Sequence, residues 1–352
     1  MEERVKRDGG KVWIEGVKGF SPAEYADSVH GSQARILQAV GEELTYDDLI
    51  SYSGFAFRVG VNKGMCPSAG HPCCGYMCLK NAYRALPWQT KTYELFPGDK
   101  KPAEEVARLK AEACAAIKDS IDLGVPVHYG GEEDGLIIGY ADAGRRWWCL
   151  HPYHKWGAEP FWHDEAKGFA GGKDKWPWGI VVWLKPKPAD RRVAERELTL
   201  AALKQAVEMW RTEKREKAYF CGEAAYAHWL KWLRGVNAGT VEKPKEGMQG
   251  NGWYFDVLTH SRDIAGRWLN KKAEGFDGDA REQLLNAADH YAQIGPVCMK
   301  GLECSWELAL PPNKFEEWTS EKRQDQIKRL EAARDHDRAA IAAIEKALES
   351  AE

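Results

Sequence analysis

The spacing of apolar residues in the first half of the chain predicts both helices and strands. One helix is predicted by apolar residues that recur at intervals of three and four: Val106, Leu109, Ala113, Ile117 and Ile121. Pro102 stands before this stripe and Gly124 after it, as at many helix starts and ends. A helix over residues 22–41, capped near Ser21, is also predicted, and the capping-box spacing of Thr45–Asp48 predicts a short one.

Continuous apolar runs predict short strands after the helix that begins near Pro102. They occupy residues 125–129, 135–141, 147–151 and 179–184. The turn Asp142-Ala-Gly144 joins the second and third of these strands into a hairpin. The segment Lys185-Pro-Lys-Pro188 follows the last strand and is the best candidate for a domain boundary.

The second half of the chain contains helical stripes and, after about residue 198, no strand pattern. Residues 236–252 are polar and rich in Gly and Lys, which predicts a mobile loop. A last helix is predicted over residues 316–349, where a heptad seam is interrupted by Arg334 and Asp337. These polar residues favour a helix that packs on its own bundle over a long coiled coil. The expected fold is α+β, with a mixed domain at 1–188 and an all-helical domain at 189–352.

Composition and charge exclude several function classes. The chain has 50 basic and 53 acidic residues, a balance that gives no electrostatic footprint for nucleic acid. Its first residues are charged and no apolar run reaches the length of a membrane span, so we expect neither a signal peptide nor contact with a membrane. A cytoplasmic protein with reduced thiols is therefore expected.

Three short motifs in the first half occur in an order known from one fold. They are Ser28–Gly41 with Leu44–Leu49, then Ser53-Gly-Phe-Ala-Phe-Arg58, then Ile121–Val127 with Gly135–Tyr140. Residues 12–185 resemble the papain-like fold of the bacteriocin-leader-processing cysteine peptidases. They also resemble the N-terminal half of the butirosin-biosynthesis type of acyltransferase. The resemblance implies a papain-like α+β domain with a cleft beside its first helix.

The chain departs from this family at every catalytic position. Ser28 stands where the resemblance places the nucleophilic cysteine, and Glu133-Asp134-Gly135 stands where it places the histidine. His151-Pro152 replaces the expected Asp or Asn before proline. A thiolate–imidazolium pair needs both partners within hydrogen-bond reach. We therefore expect a catalytically degenerate protein that binds a small molecule or peptide in the ancestral cleft.

Two groups of residues are expected to bind that ligand. The resemblance implies a role for Ser28, Phe57 and Asp134. The segment between Cys149 and Gly179 is rich in Trp and His, which suits a flat or sugar-like ligand. Its candidate ligand-binding residues are Trp156, Trp162 and His163. The alternative for this segment is a lid that is tethered by its tryptophans.

Residues 66–78, the cysteine segment, suggest a different chemistry. The segment holds four of the nine cysteines and one of the ten histidines. Cys73 or Cys74, activated by His71 or His151, would make the protein a thiol-dependent acyltransferase or amidohydrolase. The spacing does not match paired zinc ligands, so no metal or cofactor is expected. The segment also suits a buried loop of small apolar residues.

A third function class follows from the second half of the chain. The helical domain could dock a partner, and its last helix could join two copies into a homo-oligomer.

Overall fold

The computed structural model describes residues 2–21, 24, 27–76, 78–164, 176–212, 214–215 and 218–351. The fold is α+β, as the sequence predicts. The helices are α1 (Ser28–Val40), α2 (Tyr46–Tyr52), α3 (Leu79–Ala85), α4 (Ala103–Asp122), α5 (Glu195–Arg211), α6 (Gly222–Asn237), α7 (Pro244–Lys272), α8 (Gly278–Met299) and α9 (Ser320–Ala351).

The strands are short and lie mostly before α5. They are β1 (Val5–Asp8), β2 (Lys11–Ile14), β3 (Gly60–Asn62), β4 (Trp88–Glu94), β5 (Val127–Gly130), β6 (Gly135–Ala141), β7 (Arg146–Leu150), β8 (Phe161–Asp164), β9 (Gly179–Pro186), β10 (Lys214–Arg215) and β11 (Tyr219–Cys221).

The chain divides into two compact units. Unit 1 holds residues 1–49 and 86–192, and unit 2 holds residues 50–85 and 193–352. The boundary near residue 188, between two independent domains, stays a prediction. Packing groups residues 50–85 with the helical second half, whereas the sequence analysis groups them with the first.

Unit 1 is built on an antiparallel sheet of eight strands. Its order is β1-β2-β6-β5-β9-β4, and β7 pairs with β6 and with β8. Strand β6 has β7 along one edge and β5 followed by β2 along the other. Helix α4 covers the sheet with the predicted apolar stripe, since Ala113, Ile117 and Ile121 are buried in the sheet's core. The predicted helix 102–124 and the predicted hairpin 135–151 are thus confirmed.

The start of the first helix differs from the prediction. Helix α1 begins at Ser28 rather than at residue 22, because the Asp27 carboxylate caps it by accepting the backbone N–H groups of Val29 and His30. Pro22 lies outside the described residues. The short helix α2 forms as predicted, and the capping-box bonds run both ways between Thr45 and Asp48.

Several strands were missed because they are short or amphipathic. The β1–β2 hairpin turns at Gly9-Gly10, where both glycines have positive φ. The sequence predicts a loop or lid after Cys149, but strand β8 in this segment pairs with β7. In unit 2, β3, β10 and β11 form a three-stranded sheet, so the absence of strands after residue 198 was a wrong prediction.

The predicted mobile loop at 236–252 is largely helical. Helix α7 begins at Pro244, and its first turns contain three buried glycines, Gly247, Gly250 and Gly252. A Cβ at Gly250 would lie 1.8 Å from the Met65 carbonyl oxygen, and one at Gly252 would lie 2.2 Å from the Trp306 ring. These glycines permit close packing of α7 rather than loop flexibility.

The C-terminal helix packs within unit 2. Helix α9 contacts α5, α6 and α8, and its seam residues Ile327, Leu330, Ile341 and Ile344 are buried there. Asp337, which interrupts the seam, is 1 % exposed and pairs with the equally buried Arg262 of α7. Self-association through this helix stays a prediction. Within the described residues, no helix combines the length and the apolar character needed to cross a membrane.

Gly250→Ala is expected to destabilise the protein by about 1–3 kcal/mol or more, because the added methyl group collides with backbone. Gly295→Ala in α8 is the control, since apart from its chain neighbours and its own helix backbone no atom lies within 4 Å of its Cβ position. The control should leave stability unchanged or raise it by up to about 1 kcal/mol. Urea unfolding measures both, and equal midpoints would refute the packing role of Gly250.

Asp337→Ala is expected to lower the free energy of unfolding by about 3–5 kcal/mol, because it leaves the Arg262 guanidinium buried without its counter-ion. Asp335→Ala, at a neighbouring residue with a 60 % exposed side chain, should change stability by no more than about 1 kcal/mol. Chemical denaturation compares the two variants, and similar losses would contradict the buried-pair assignment.

Candidate functional site

A buried polar cluster surrounds the first turn of α1 in unit 1. We call it the Ser28 cluster, and its members are Asp27, Ser28, His30, His128, Glu133 and Asp134. Three members come from α1 and its cap, one comes from β5, and two immediately precede β6. All but Glu133 are buried. The sequence therefore brings the predicted residues Ser28 and Asp134 together, as the order of motifs leads one to expect.

The Ser28 hydroxyl is bound on both sides by the segment before β6. Its Oγ donates to Glu133 Oε2 at 2.6 Å and accepts the backbone N–H of Asp134 at 3.0 Å. Among the described residues, neither of these two hydrogen bonds of the Ser28 hydroxyl involves an imidazole. Ser28 is 1 % exposed, so its hydroxyl is held inside the protein rather than presented at a surface.

Each histidine of the cluster is paired with a carboxylate. His30 Nδ1 bonds the Asp27 carboxylate that also caps α1. His128 Nε2 lies 2.8 Å from Asp134 Oδ2. These pairs neutralise charge that would otherwise be costly to bury. They also fix both imidazoles against acidic partners.

Glu133 has an unusual protonation state for a glutamate. Burial of its carboxyl raises its pKa to about 8, against the opposing effect of the Ser28 hydrogen bond, and Asp134 and Asp27 raise it further by repulsion. At neutral pH this carboxyl is therefore mostly protonated. A protonated carboxyl offers one O–H donor besides the oxygen that accepts from Ser28.

His151 lies beside this cluster, after β7. Its ring stacks on Tyr129 with the centroids 6.3 Å apart, and its Nδ1 accepts the backbone N–H of Tyr153. A Cβ at Gly135 would meet the Tyr129 hydroxyl at 2.6 Å, so this glycine lets the Tyr129 ring cross β6. Burial lowers the pKa of His151 to about 4, although Asp134 opposes the shift. The imidazole is neutral at physiological pH.

The predicted aromatic ligand residues occupy different surroundings. Trp162 on β8 packs on Trp148 with ring centroids 4.9 Å apart, and the Arg146 guanidinium lies over it. His163 is buried on the same strand. Phe57 belongs to unit 2, where it is 3 % exposed and packs against Trp268 and Tyr291. The side chain of Trp156 lies outside the described residues.

The cysteine segment is organised by one arginine. Arg58 is 4 % exposed. Its guanidinium donates to the carbonyl oxygens of Ala69, His71, Cys74 and Tyr76 at 2.8–2.9 Å. The cysteine segment wraps around the Arg58 guanidinium. Its conformation is therefore set by hydrogen bonds from Arg58 to its backbone carbonyl oxygens. Sequence reasoning singled out the cysteines and missed Arg58.

The proposed thiol nucleophiles lie at the outside of this segment. Cys73 is exposed and Cys74 is half-buried. His71 Nδ1 accepts the backbone N–H of Cys73 at 3.2 Å, so this ring nitrogen already has a partner. His151 belongs to unit 1 and the cysteine segment to unit 2. A catalytic role for these four residues stays a prediction.

Two further features bear on ligand chemistry. Among the described residues, no group of three or more His, Cys, Asp or Glu is arranged to hold a metal ion. A groove of about 890 Å³ in unit 2 runs between α5, α6 and α9. Four of its charged residues form two ion pairs, Arg338 with Glu223 and Arg211 with Glu345. The groove therefore points to no ligand of particular charge.

Sequence reasoning found part of the Ser28 cluster. Glu133 was noted only as a departure from the expected histidine, and Asp27 and His128 were not considered. The sequence offers one signal for the other members, the run of three acidic residues Glu132–Asp134 before an apolar strand. A carboxylate that is buried beside such a strand needs a hydrogen-bond or charge partner.

Comparison of the chain with protein-family models and with curated proteins gives no match.

Glu133→Gln is expected to change how stability depends on pH. The folded protein keeps the Glu133 proton up to about pH 8, whereas an ordinary glutamate loses it near 4.5. The native state thus binds more protons in this window, and its stability falls as pH rises, by up to about 1.4 kcal/mol per pH unit. His151 acts oppositely between about pH 4 and 6.5, but both proteins retain it.

The measurement is the difference in free energy of unfolding between wild type and Glu133→Gln from pH 5 to 9. The variant should gain on the wild type until about pH 8 and the difference should then level off. Glu132→Gln, at the exposed neighbour, controls for the loss of one negative charge. A difference that does not vary with pH would contradict the buried, protonated state of Glu133.

Proposed function

We propose that this chain is a catalytically degenerate papain-like protein that binds a small molecule or peptide beside the first turn of α1. The single observation that carries the proposal is the partner of Ser28. The residue that resembles the family's nucleophile by position hydrogen-bonds a carboxyl group and a backbone N–H, where a thiolate–imidazolium pair would be needed.

The surroundings of Ser28 also argue against a serine nucleophile. A serine hydroxyl must lose its proton to a nearby base during attack. Glu133 is its one side-chain partner among the described residues, and at neutral pH this carboxyl is mostly protonated because burial raises its pKa to about 8. A base that already carries a proton cannot accept another.

The same geometry indicates what the site binds. Glu133 uses its Oε2 to accept from Ser28, and we propose that its other oxygen donates to a ligand. A protonated carboxyl donates a hydrogen bond to carbonyl or carboxylate oxygens. A ligand with such an acceptor, for example a peptide carbonyl, matches this donor. Activity as a thiol-dependent acyltransferase remains the alternative, with Cys73 or Cys74 as nucleophile.

Rebuilding the pair that the family resemblance implies tests the proposal. Ser28→Cys alone should give a thiol that iodoacetamide labels slowly, because the neighbouring residue is Glu133. The double variant Ser28→Cys/Glu133→His should label at position 28 faster by about an order of magnitude or more, since an imidazolium lowers the pKa of a thiol. Peptide mapping by mass spectrometry separates position 28 from the native cysteines.

The wild-type protein provides the second arm of the test. It should form no adduct at Ser28 with a fluorophosphonate probe and none at Cys73 or Cys74 with an epoxide probe. A stoichiometric adduct at Ser28 would overturn the degenerate assignment, and one at either cysteine would favour the alternative. Equal labelling rates for the single and double variants would overturn the papain-like placement of Ser28 and Glu133.

A further inference from the structure

Two histidines face each other between the last two helices of unit 2. His290 lies on α8 and His336 lies on α9, and their Nδ1 atoms are 3.3 Å apart. The ring centroids are 5.6 Å apart and the ring planes are inclined by 51°. Both side chains are half-buried. Both side chains are therefore partly accessible to solvent, which lets a small ion reach them.

The two rings are held in place by the core on either side. Tyr291, which follows His290, is fully buried against Phe57. Asp337, which follows His336, is fixed by Arg262 and by the Tyr226 hydroxyl. Because the neighbouring residues are anchored in the core, the positions of the two imidazoles are set before any ligand arrives. Such preorganisation reduces the cost of binding.

We propose that His290 and His336 form a binding site for a zinc ion. Imidazole nitrogens bind Zn²⁺ at about 2.0–2.1 Å in tetrahedral geometry, which requires two ligand nitrogens to lie roughly 3.3–3.4 Å apart. The observed separation of 3.3 Å meets this requirement without movement of the backbone. The site clamps α8 to α9 and has no part in the Ser28 cluster.

A change of tautomer lets both rings of this hydrogen-bonded pair bind a metal ion. A neutral imidazole has one N–H donor and one acceptor nitrogen. The contact needs one Nδ1–H and one Nδ1 lone pair. When the ion binds, the Nδ1 proton of the donating ring moves to its own Nε2, and both Nδ1 lone pairs then face the ion. No net proton is gained or lost in this change of tautomer.

The remaining two coordination positions would be filled by water. Within the described residues, no third His, Cys, Asp or Glu joins the pair in a metal-holding group. A site with two protein ligands binds an ion more weakly than a closed structural site with four. The ion would therefore exchange readily, in contrast to the permanent ion of a zinc finger.

Calorimetric titration of the EDTA-treated full-length protein with Zn²⁺ tests the proposal. One equivalent is expected to bind to this site. Either His290→Gln or His336→Gln should weaken that binding about tenfold or more, since even loss of a group that supports a metal ligand costs about 10- to 100-fold. His260→Gln, at a half-buried histidine of α7, is the matched control and should bind as the wild type does.

Nuclear magnetic resonance of histidine-labelled wild-type protein gives a readout that does not depend on a variant folding. Two of the ten histidine ring signals should shift with one equivalent of Zn²⁺, and both should be absent from the double variant His290→Gln/His336→Gln. Binding that is undiminished in the double variant, shifts confined to other histidines, or no binding at all would each overturn the proposal.

Discussion

Burial of two guanidinium groups constrains much of unit 2. A buried arginine must have acceptors for its N–H donors. Arg262 meets this need through Asp337 of α9 and the carbonyl oxygen of Ala56. Arg58 meets it through four carbonyl oxygens of the cysteine segment. Residues 56–76 therefore follow a path that supplies carbonyl acceptors to two buried guanidinium groups. The positions of the cysteines follow from that path.

This constraint explains which elements could be predicted from the sequence. Helix α4 and the capping box of α2 depend on residues within a few positions of one another, and both predictions were right. The β3–β11 pairing joins residues near 61 and 220, and no local pattern reports such a pairing. The first turns of helix α7 lie within the predicted loop 236–252, because glycine is common in loops, whereas here it permits close packing against Met65.

The candidate site shows the same difference between features that depend on nearby residues and features that depend on distant ones. The order of motifs favours a position of Ser28 near Asp134, where the Ser28 hydroxyl accepts the Asp134 backbone N–H. It could not supply the Ser28–Glu133 bond, since the two residues are 105 positions apart and the family expectation at that place is a histidine. The chemistry of the site depends on this one bond. Burial raises the pKa of the Glu133 carboxyl to about 8, so this carboxyl carries a proton at neutral pH.

The partners of His30 and His128 differ from those of His290 and His336. This difference determines which chemistry each imidazole can support. His30 and His128 each face a carboxylate. A carboxylate accepts hydrogen bonds, so it keeps a proton on the imidazole nitrogen that faces it. His290 and His336 face each other, and two imidazoles need only one proton between them. One lone pair is then always directed into the contact, and a second becomes available through a change of tautomer. Of the histidine contacts described here, this one is best suited to a metal ion, whereas those of the Ser28 cluster are suited to holding buried carboxylates in place.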